Sequence, residues 1–237
     1  MYKRQFIVFT CLTSILYSQK HEIGFFLGGT NYIGDIGRTT YIYPNKFAGG
    51  VVYKLNVNPR IALRANMSRL PLSGDDSLSN STYRQTRGLS FLNRISELAA
   101  GIEFNFFEYQ IDNPAKDFTP YILAQVAVFN YKVISNYSIT ASNPLLPDIA
   151  FDNKFSYSIP VGVGIKGKLA GKVGFAIESA IRFTFTDELD YSTDRFNDRL
   201  DNRYDFGGYG DDFYVFTGVS LVYSFGRPPC YSDLPLD

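Results

Sequence analysis

Residues 173–185 read VGFAIESAIRFTF. In an extended chain Val173, Phe175, Ile177, Ser179, Ile181, Phe183 and Phe185 share one face, and Gly174, Ala176, Glu178, Ala180, Arg182 and Thr184 share the other. A period of two is that of a strand; helical winding would scatter both sets around the axis. The chemistry of the faces says more than the period. One face is almost wholly apolar, while the other mixes small residues with an acid and a base. A soluble barrel has apolar residues inside and polar ones outside. A strand with lipid on one side and a crowded polar lumen on the other reads as this one does.

The same pattern recurs outward from this stretch. Leu98, Ala100, Ile102, Phe104 and Phe106 alternate with Glu97, Ala99, Gly101, Glu103 and Asn105. Ile159, Val161, Val163 and Ile165 oppose Ser158, Pro160, Gly162, Gly164 and Lys166. Val215, Thr217, Val219, Leu221, Tyr223 and Phe225 face away from Phe216, Gly218, Ser220 and Ser224. Weaker alternation covers 22–30, 47–57, 60–70 and 120–131, which makes eight predicted strands. Each is long enough to cross a membrane, since a tilted strand needs about 9–11 residues. Connections alternate in length. Asn58 and Pro59, then the polar segment 110–119, then Ala170, Gly171 and Lys172 form short turns; 34–46, 71–94, 134–157 and 189–212 form long hydrophilic loops. Short turns at one end and long loops at the other predict an all-β fold: an eight-stranded antiparallel transmembrane β-barrel of the outer-membrane type, with periplasmic turns and extracellular loops.

Composition agrees. Among 237 residues, 18 Tyr and 21 Phe suit strands and membrane interfaces. With 23 basic and 23 acidic side chains there is no surplus of charge to neutralise phosphates, so nucleic acid is not expected as a partner. At the start, Lys3 and Arg4 precede an apolar run from Phe6 to Tyr17 and a small residue, Ser18, the pattern of a cleaved secretory signal. The expected organisation is therefore a signal peptide at 1–18, a barrel at 19–226 and a periplasmic tail at 227–237. Cys11 leaves with the signal, and Cys230 has no second cysteine with which to form an internal disulfide.

The inward positions collect Glu22, Lys54, Arg64, Glu97, Glu103, Lys166, Lys168, Glu178 and Arg182. An eight-stranded barrel is just wide enough for its side chains to fill it, so these ions are expected to pair as a plug rather than line a channel. Residues 162–167 match the dinucleotide fingerprint GxGxxG, but inside an alternating strand no helix N-terminus is available to meet a pyrophosphate. His21, the sole histidine, falls at the periplasmic end of the first strand, far from any outer rim where a hydrolase would use it. No catalytic residue, cofactor or metal is expected. The acidic run in 189–212 offers carboxylates without the spacing of a calcium loop and reads as solvated surface. Arg84, Arg87 and Arg94 fall in the second long loop, available to lipopolysaccharide phosphates or to the acidic fourth loop. After the last strand come Arg227, Pro228, Pro229, Cys230 and Tyr231; the prolines stiffen the tail toward an extended form suited to docking, and the lone thiol points to a contact or disulfide with another chain.

Four segments carry a family resemblance: EIGFFLGGTNYIGD at 22–35, ELAAGIEFNFFEY at 97–109, TPYI at 119–122 and RFTFTDELD at 182–190. Together they resemble the PorG-type barrels of Bacteroidetes over nearly all of the chain after the signal. The resemblance implies a non-enzymatic component of the type IX secretion system, set in outer-membrane lipid and associated with periplasmic ring proteins similar to PorK and PorN. The competing expectation is a free-standing small barrel that stabilises the envelope or adheres through its long outer loops.

Overall fold

The computed structural model describes residues 20–109, 118–138, 148–191 and 210–226. They form eight strands: β1 (Lys20–Ile33), β2 (Lys46–Asn56), β3 (Ile61–Asp75), β4 (Ser90–Asn105), β5 (Phe118–Ser138), β6 (Asp148–Ala170), β7 (Val173–Thr184) and β8 (Phe213–Phe225). Every strand pairs antiparallel with its neighbours in the chain, and β8 closes on β1 from His21↔Phe225 to Ile33↔Phe213. Closure leaves no strand edge to be satisfied, which is the condition for a sheet to stand in hydrocarbon.

The pleat sorts the side chains. Phe25 (69% exposed), Met67 (67%), Val126 (69%) and Phe155 (71%) project outward, whereas Lys54, Glu103 and Glu178 on neighbouring inward positions are buried. An apolar exterior around a charged interior is inside-out for a soluble protein and right for a barrel whose solvent is lipid. Pro160 lies in β6 facing inward, and the β5–β6 ladder passes from Ala124↔Val161 to Ala127↔Ser158 with the intervening rungs missing, as a residue without an N–H requires.

Strand extends into two of the expected long loops, at both ends of 71–94 and over most of 134–157. β3 and β4 stay paired up to Asp75↔Ser90, so Arg94, expected in a loop, lies in β4. Pairing of β5 with β6 continues to Ser138↔Asp148 across an irregularity between Ile134 and Asn136. At 21 and 23 residues these strands are about twice what a bilayer crossing needs. Their outer parts carry polar residues such as Asp152, Asn153 and Lys154 on successive positions. Outside the membrane neither face needs to be apolar, so the hydrogen-bonded ladder runs on after the alternation has stopped. Between β3 and β4 the chain makes a 3-10 turn, Asp76–Leu78, and a short helix α1 (Thr82–Arg87), which ends at Gly88 in the left-handed region at φ +66°.

The segment 1–18, expected as a signal, the turn segment 110–117 and the tail with Arg227, Pro228, Pro229, Cys230 and Tyr231 lie outside the described residues.

Candidate functional site

The lumen is built in two layers under a cap. In the layer toward the short turns, six consecutive strands each place one inward side chain: Lys54 on β2, Arg64 on β3, Glu103 on β4, Tyr121 on β5, Lys166 on β6 and Glu178 on β7. Glu103 is fully buried and receives Lys54 at 2.8 Å, Lys166 at 2.5 Å and Arg64 at 3.3 Å. Arg64 turns its fork to Glu178, with Nη1 at 2.7 Å and Nη2 at 2.9 Å from the two carboxylate oxygens. The Tyr121 hydroxyl donates to Glu178 at 2.6 Å. A planar guanidinium donating to both oxygens is a geometry that lysine could not supply. Gly164 makes room for this arrangement: a Cβ there would stand 2.6 Å from Cζ of Tyr121. The Arg64 Nε donates to Asn66, and Asn66 donates to Gln125, which extends the network to uncharged partners.

Arg182 and Glu97 form a second pair at 3.5 Å, and the Tyr214 hydroxyl donates to Glu97 at 2.6 Å. Glu22 accepts from Asn56 at 2.8 Å. Arg64, Glu97, Glu103, Lys166, Glu178 and Arg182 thus fall into two contacting groups rather than one. Lys168, read from parity as inward, is only half-buried, because the ladder with β5 ends at Gly167 and, among the described residues, β7 alone flanks β6 there.

The outer layer is aromatic and aliphatic. Phe26 meets Phe216 edge-on at 5.3 Å, Phe129 meets Tyr214 at 6.2 Å, and Tyr32 meets Phe91 at 4.8 Å. Leu70, Leu72, Ile95 and Leu189 are fully buried among them. The guanidinium of Arg182 lies 5.6 Å from the Phe216 ring and 5.9 Å from that of Tyr214, a cation–π junction between the layers.

Three loop segments close the outer end. The Tyr32 hydroxyl, which has one proton to donate, lies between Asp190, 2.8 Å away, and Asp212, and the Leu189 N–H donates to Asp212 at 2.9 Å. Asp76, completely buried, accepts from Gly37 N–H at 2.8 Å, from Leu89 N–H at 3.1 Å and from the Arg87 fork at 2.8 and 3.1 Å. Arg87 also donates to the Asp35 carbonyl and Arg84 to the Gly37 carbonyl, so both arginines tie the second loop to the first. Burial alone would raise the Asp76 carboxyl, but Arg87 and the two N–H donors outweigh it and hold it below the usual carboxylate range. Asp212 goes the other way: burial first, then the neighbouring Asp190 charge, push it well up. Asp190 and Asp212, expected on a solvated surface, are therefore among the most buried side chains of the cap. Among the described residues no group of three His, Cys, Asp or Glu has the arrangement to hold a metal. The GxGxxG stretch lies within β6 as strand. His21 bonds the Tyr53 hydroxyl at 2.7 Å and stacks on Phe225 at 5.4 Å, at the end near the short turns.

Sequence reasoning missed Tyr121, Tyr214 and Tyr32 as partners of the carboxylates, although all three sit on inward positions that the period of two could have supplied. It had no signal for Asp76, whose neighbours in the chain are all polar.

A closed ring of eight strands, apolar outside and ion-paired within, defines an eight-stranded transmembrane β-barrel of the outer-membrane type. The chain matches the family described as a domain of unknown function, DUF6089, over residues 3–233, and belongs to that family. No curated protein matches the sequence. Similar solved structures include Ail, the attachment invasion locus protein of Yersinia pestis, at 10% identity and a TM-score of 0.46, covering 88% of this chain and 99% of that one. OprG from Pseudomonas aeruginosa is similar at 7% identity and 0.46, covering 89% and 98%. A major outer membrane protein from Thermus thermophilus stands at 10% and 0.46, covering 87% and 99%.

Proposed function

We propose that this barrel is a non-enzymatic, outer-membrane component of the type IX protein secretion system, and that it anchors or organises a periplasmic ring of proteins similar to PorK and PorN. The resemblance of 22–35, 97–109, 119–122 and 182–190 to the PorG-type barrels supplies the identity of the system. The filled lumen carries the choice of role. With Glu103, Arg64 and Glu178 locked across one half and Phe26, Phe129 and Phe216 packed across the other, the barrel leaves cargo no path through it. A barrel that does not conduct acts through its surfaces, and the surface facing a periplasmic ring comprises the turns and the tail 227–237. His21 is engaged with Tyr53 and Phe225, which supports a role without catalysis.

The test is gentle isolation of the tagged barrel from native outer membranes, with and without a thiol crosslinker acting at Cys230. Ring lipoprotein and its periplasmic companion should come with it and be lost when 227–237 is deleted. Recovery of the barrel alone, with cargo export intact in a deletion strain, would sink the proposal. Pure protein in a planar bilayer should give no steady conductance.

One observation favours a second reading. The β5–β6 hairpin stays paired far outside the membrane, up to Ser138↔Asp148, a rigid projection that suits a free-standing barrel working at the cell surface. Trimming that hairpin, with the tail left whole, separates the two readings, since only the surface role should suffer.

A further inference from the structure

The outer face of β3, β4 and β5 carries a feature that neither the plug nor the ring explains. Three rungs of outward side chains cross these strands. The innermost joins Met67, Leu98 and Val128. The next joins Arg69, Ser96 and Asn130. One step further out stand Pro71 and Arg94, paired with each other, and Lys132, which the same register sets beside Arg94. Arg69, Arg94 and Lys132 are all exposed, and none makes an ion pair or a side-chain hydrogen bond among the described residues. The outward faces of β7, β8 and β1 carry no lysine or arginine, so the cations are gathered in one sector of the wall.

Directly below the cations the wall is hollowed into a groove of about 610 Å³. Gly49, Val51, Met67, Leu98, Val128 and Phe155 give it an apolar lining, while Arg69, Ser96 and Asn130 stand at its polar end. Gly49, on the outward parity of β2 between Phe47 and Val51, adds depth because it projects no side chain; Gly50 faces the lumen, where a Cβ would stand 2.7 Å from Cζ of Phe26.

Cations on lipid-facing positions are costly unless an anion meets them at the headgroup level. Among the described residues the protein offers none, and the groove beneath is shaped for hydrocarbon. The two observations together describe an amphiphile with a negatively charged head and an acyl chain. The long-loop ends of β3 and β5 place it in the outer leaflet. We propose that this sector binds a phosphate-bearing acylated lipid of the outer leaflet, with its phosphates on Arg69, Arg94 and Lys132 and an acyl chain in the groove between Met67, Leu98 and Phe155.

The experiment is native mass spectrometry of the full barrel released from a neutral detergent, titrated with bisphosphorylated lipid A, with its dephosphorylated counterpart and with inorganic phosphate. The wild type should prefer the phosphorylated lipid roughly tenfold, since each cation near a lipid surface contributes modestly and three act together. The variant Arg69→Gln/Arg94→Gln/Lys132→Gln should lose that preference, and Ser96→Trp, which fills the polar end of the groove, should weaken both lipids. Heat-dependent gel mobility checks that each variant is folded, and the three single Gln variants, each losing part of the preference, serve if the triple variant is not. Equal binding of the two lipids by the wild type would overturn the proposal, as would a preference that survives in the folded variants. Free phosphate competing as well as the lipid would overturn it too, because the groove would then contribute nothing. A change of oligomeric state in Ser96→Trp with lipid binding unchanged would reassign the sector to contact between copies of the chain.

Discussion

The two halves of the lumen solve the same problem with opposite chemistry. Toward the short turns, the space between strands is filled by Lys54, Arg64, Lys166, Glu103 and Glu178; toward the long loops, Phe26, Phe129, Tyr131, Phe216 and Leu72 fill it. Ions in a closed space are stable only as a complete set, since each carboxylate is held by what surrounds it and each cation by the same bonds. Aromatic packing is divisible, and losing one ring costs its own contacts and a cavity. The inner half is therefore the brittle one, and the outer half the tolerant one.

The sharpest way to break that contrast is Glu103→Gln. It leaves Lys54, Arg64 and Lys166 facing a neutral amide, and the loss is expected to be about 3–5 kcal/mol, as for removing one partner of a buried pair. Urea unfolding in lipid vesicles, followed by gel mobility, reads it. Adding Lys54→Met to the same chain should recover part of the loss by removing one stranded cation. If the double variant is no better than the single one, the network is not acting as a set. Phe216→Ala comes next, at about 3 kcal/mol from the lost ring and the void it leaves. Its effect should add to that of Phe129→Ala only in part, because both rings pack in one cluster.

The cap offers a gentler comparison between its two buried acids. Asp76 is held below the usual range, so its stabilisation is fully present above the unfolded value near pH 4 and fades as the pH falls through its lower, folded value. Protease cleavage within 76–89 should accelerate in acid, and Asp76→Asn, at a cost of about 1–2 kcal/mol, should make cleavage fast at neutral pH as well. Acid-insensitive cleavage of the wild type would count against the tie between Asp76 and Arg87.

What could be read in advance follows the same physical divide. Glu178 and Arg182 fall on the inward parity of a strand that has lipid on its other face, so the membrane writes their direction into the sequence. Arg94 was misplaced because no such contrast exists where β4 approaches the outer end: Ser90, Asn93, Arg94 and Ser96 follow too closely for alternation to show. Asp190 and Asp212 were misread for a different reason. They stand 22 positions apart, and only the ring closure that brings β8 beside β1 sets Tyr32 between them. That 22–35 and 182–190 meet through the Tyr32–Asp190 bond is a fact of tertiary structure that neither segment contains alone.

The smallest expected effect is the most specific. Asp212 is raised by burial and by the charge of Asp190, so the closed cap favours its protonated form, and closure weakens as the pH rises through the folded value. Asp190→Asn keeps an oxygen to accept from Tyr32 but removes that charge. Asp212 should then ionise more readily while keeping the Tyr32 and Leu189 donors. The cap should gain about 0.5–1 kcal/mol at alkaline pH and change little in acid. Amide exchange of Leu189, measured across pH against an unstructured peptide reference, reads this directly, because its N–H is bonded to Asp212. Wild-type protection should fall with rising pH and that of the variant should stay level. Parallel profiles would mean that the charge of Asp190 does not raise Asp212 and that Tyr32 alone holds this side of the cap.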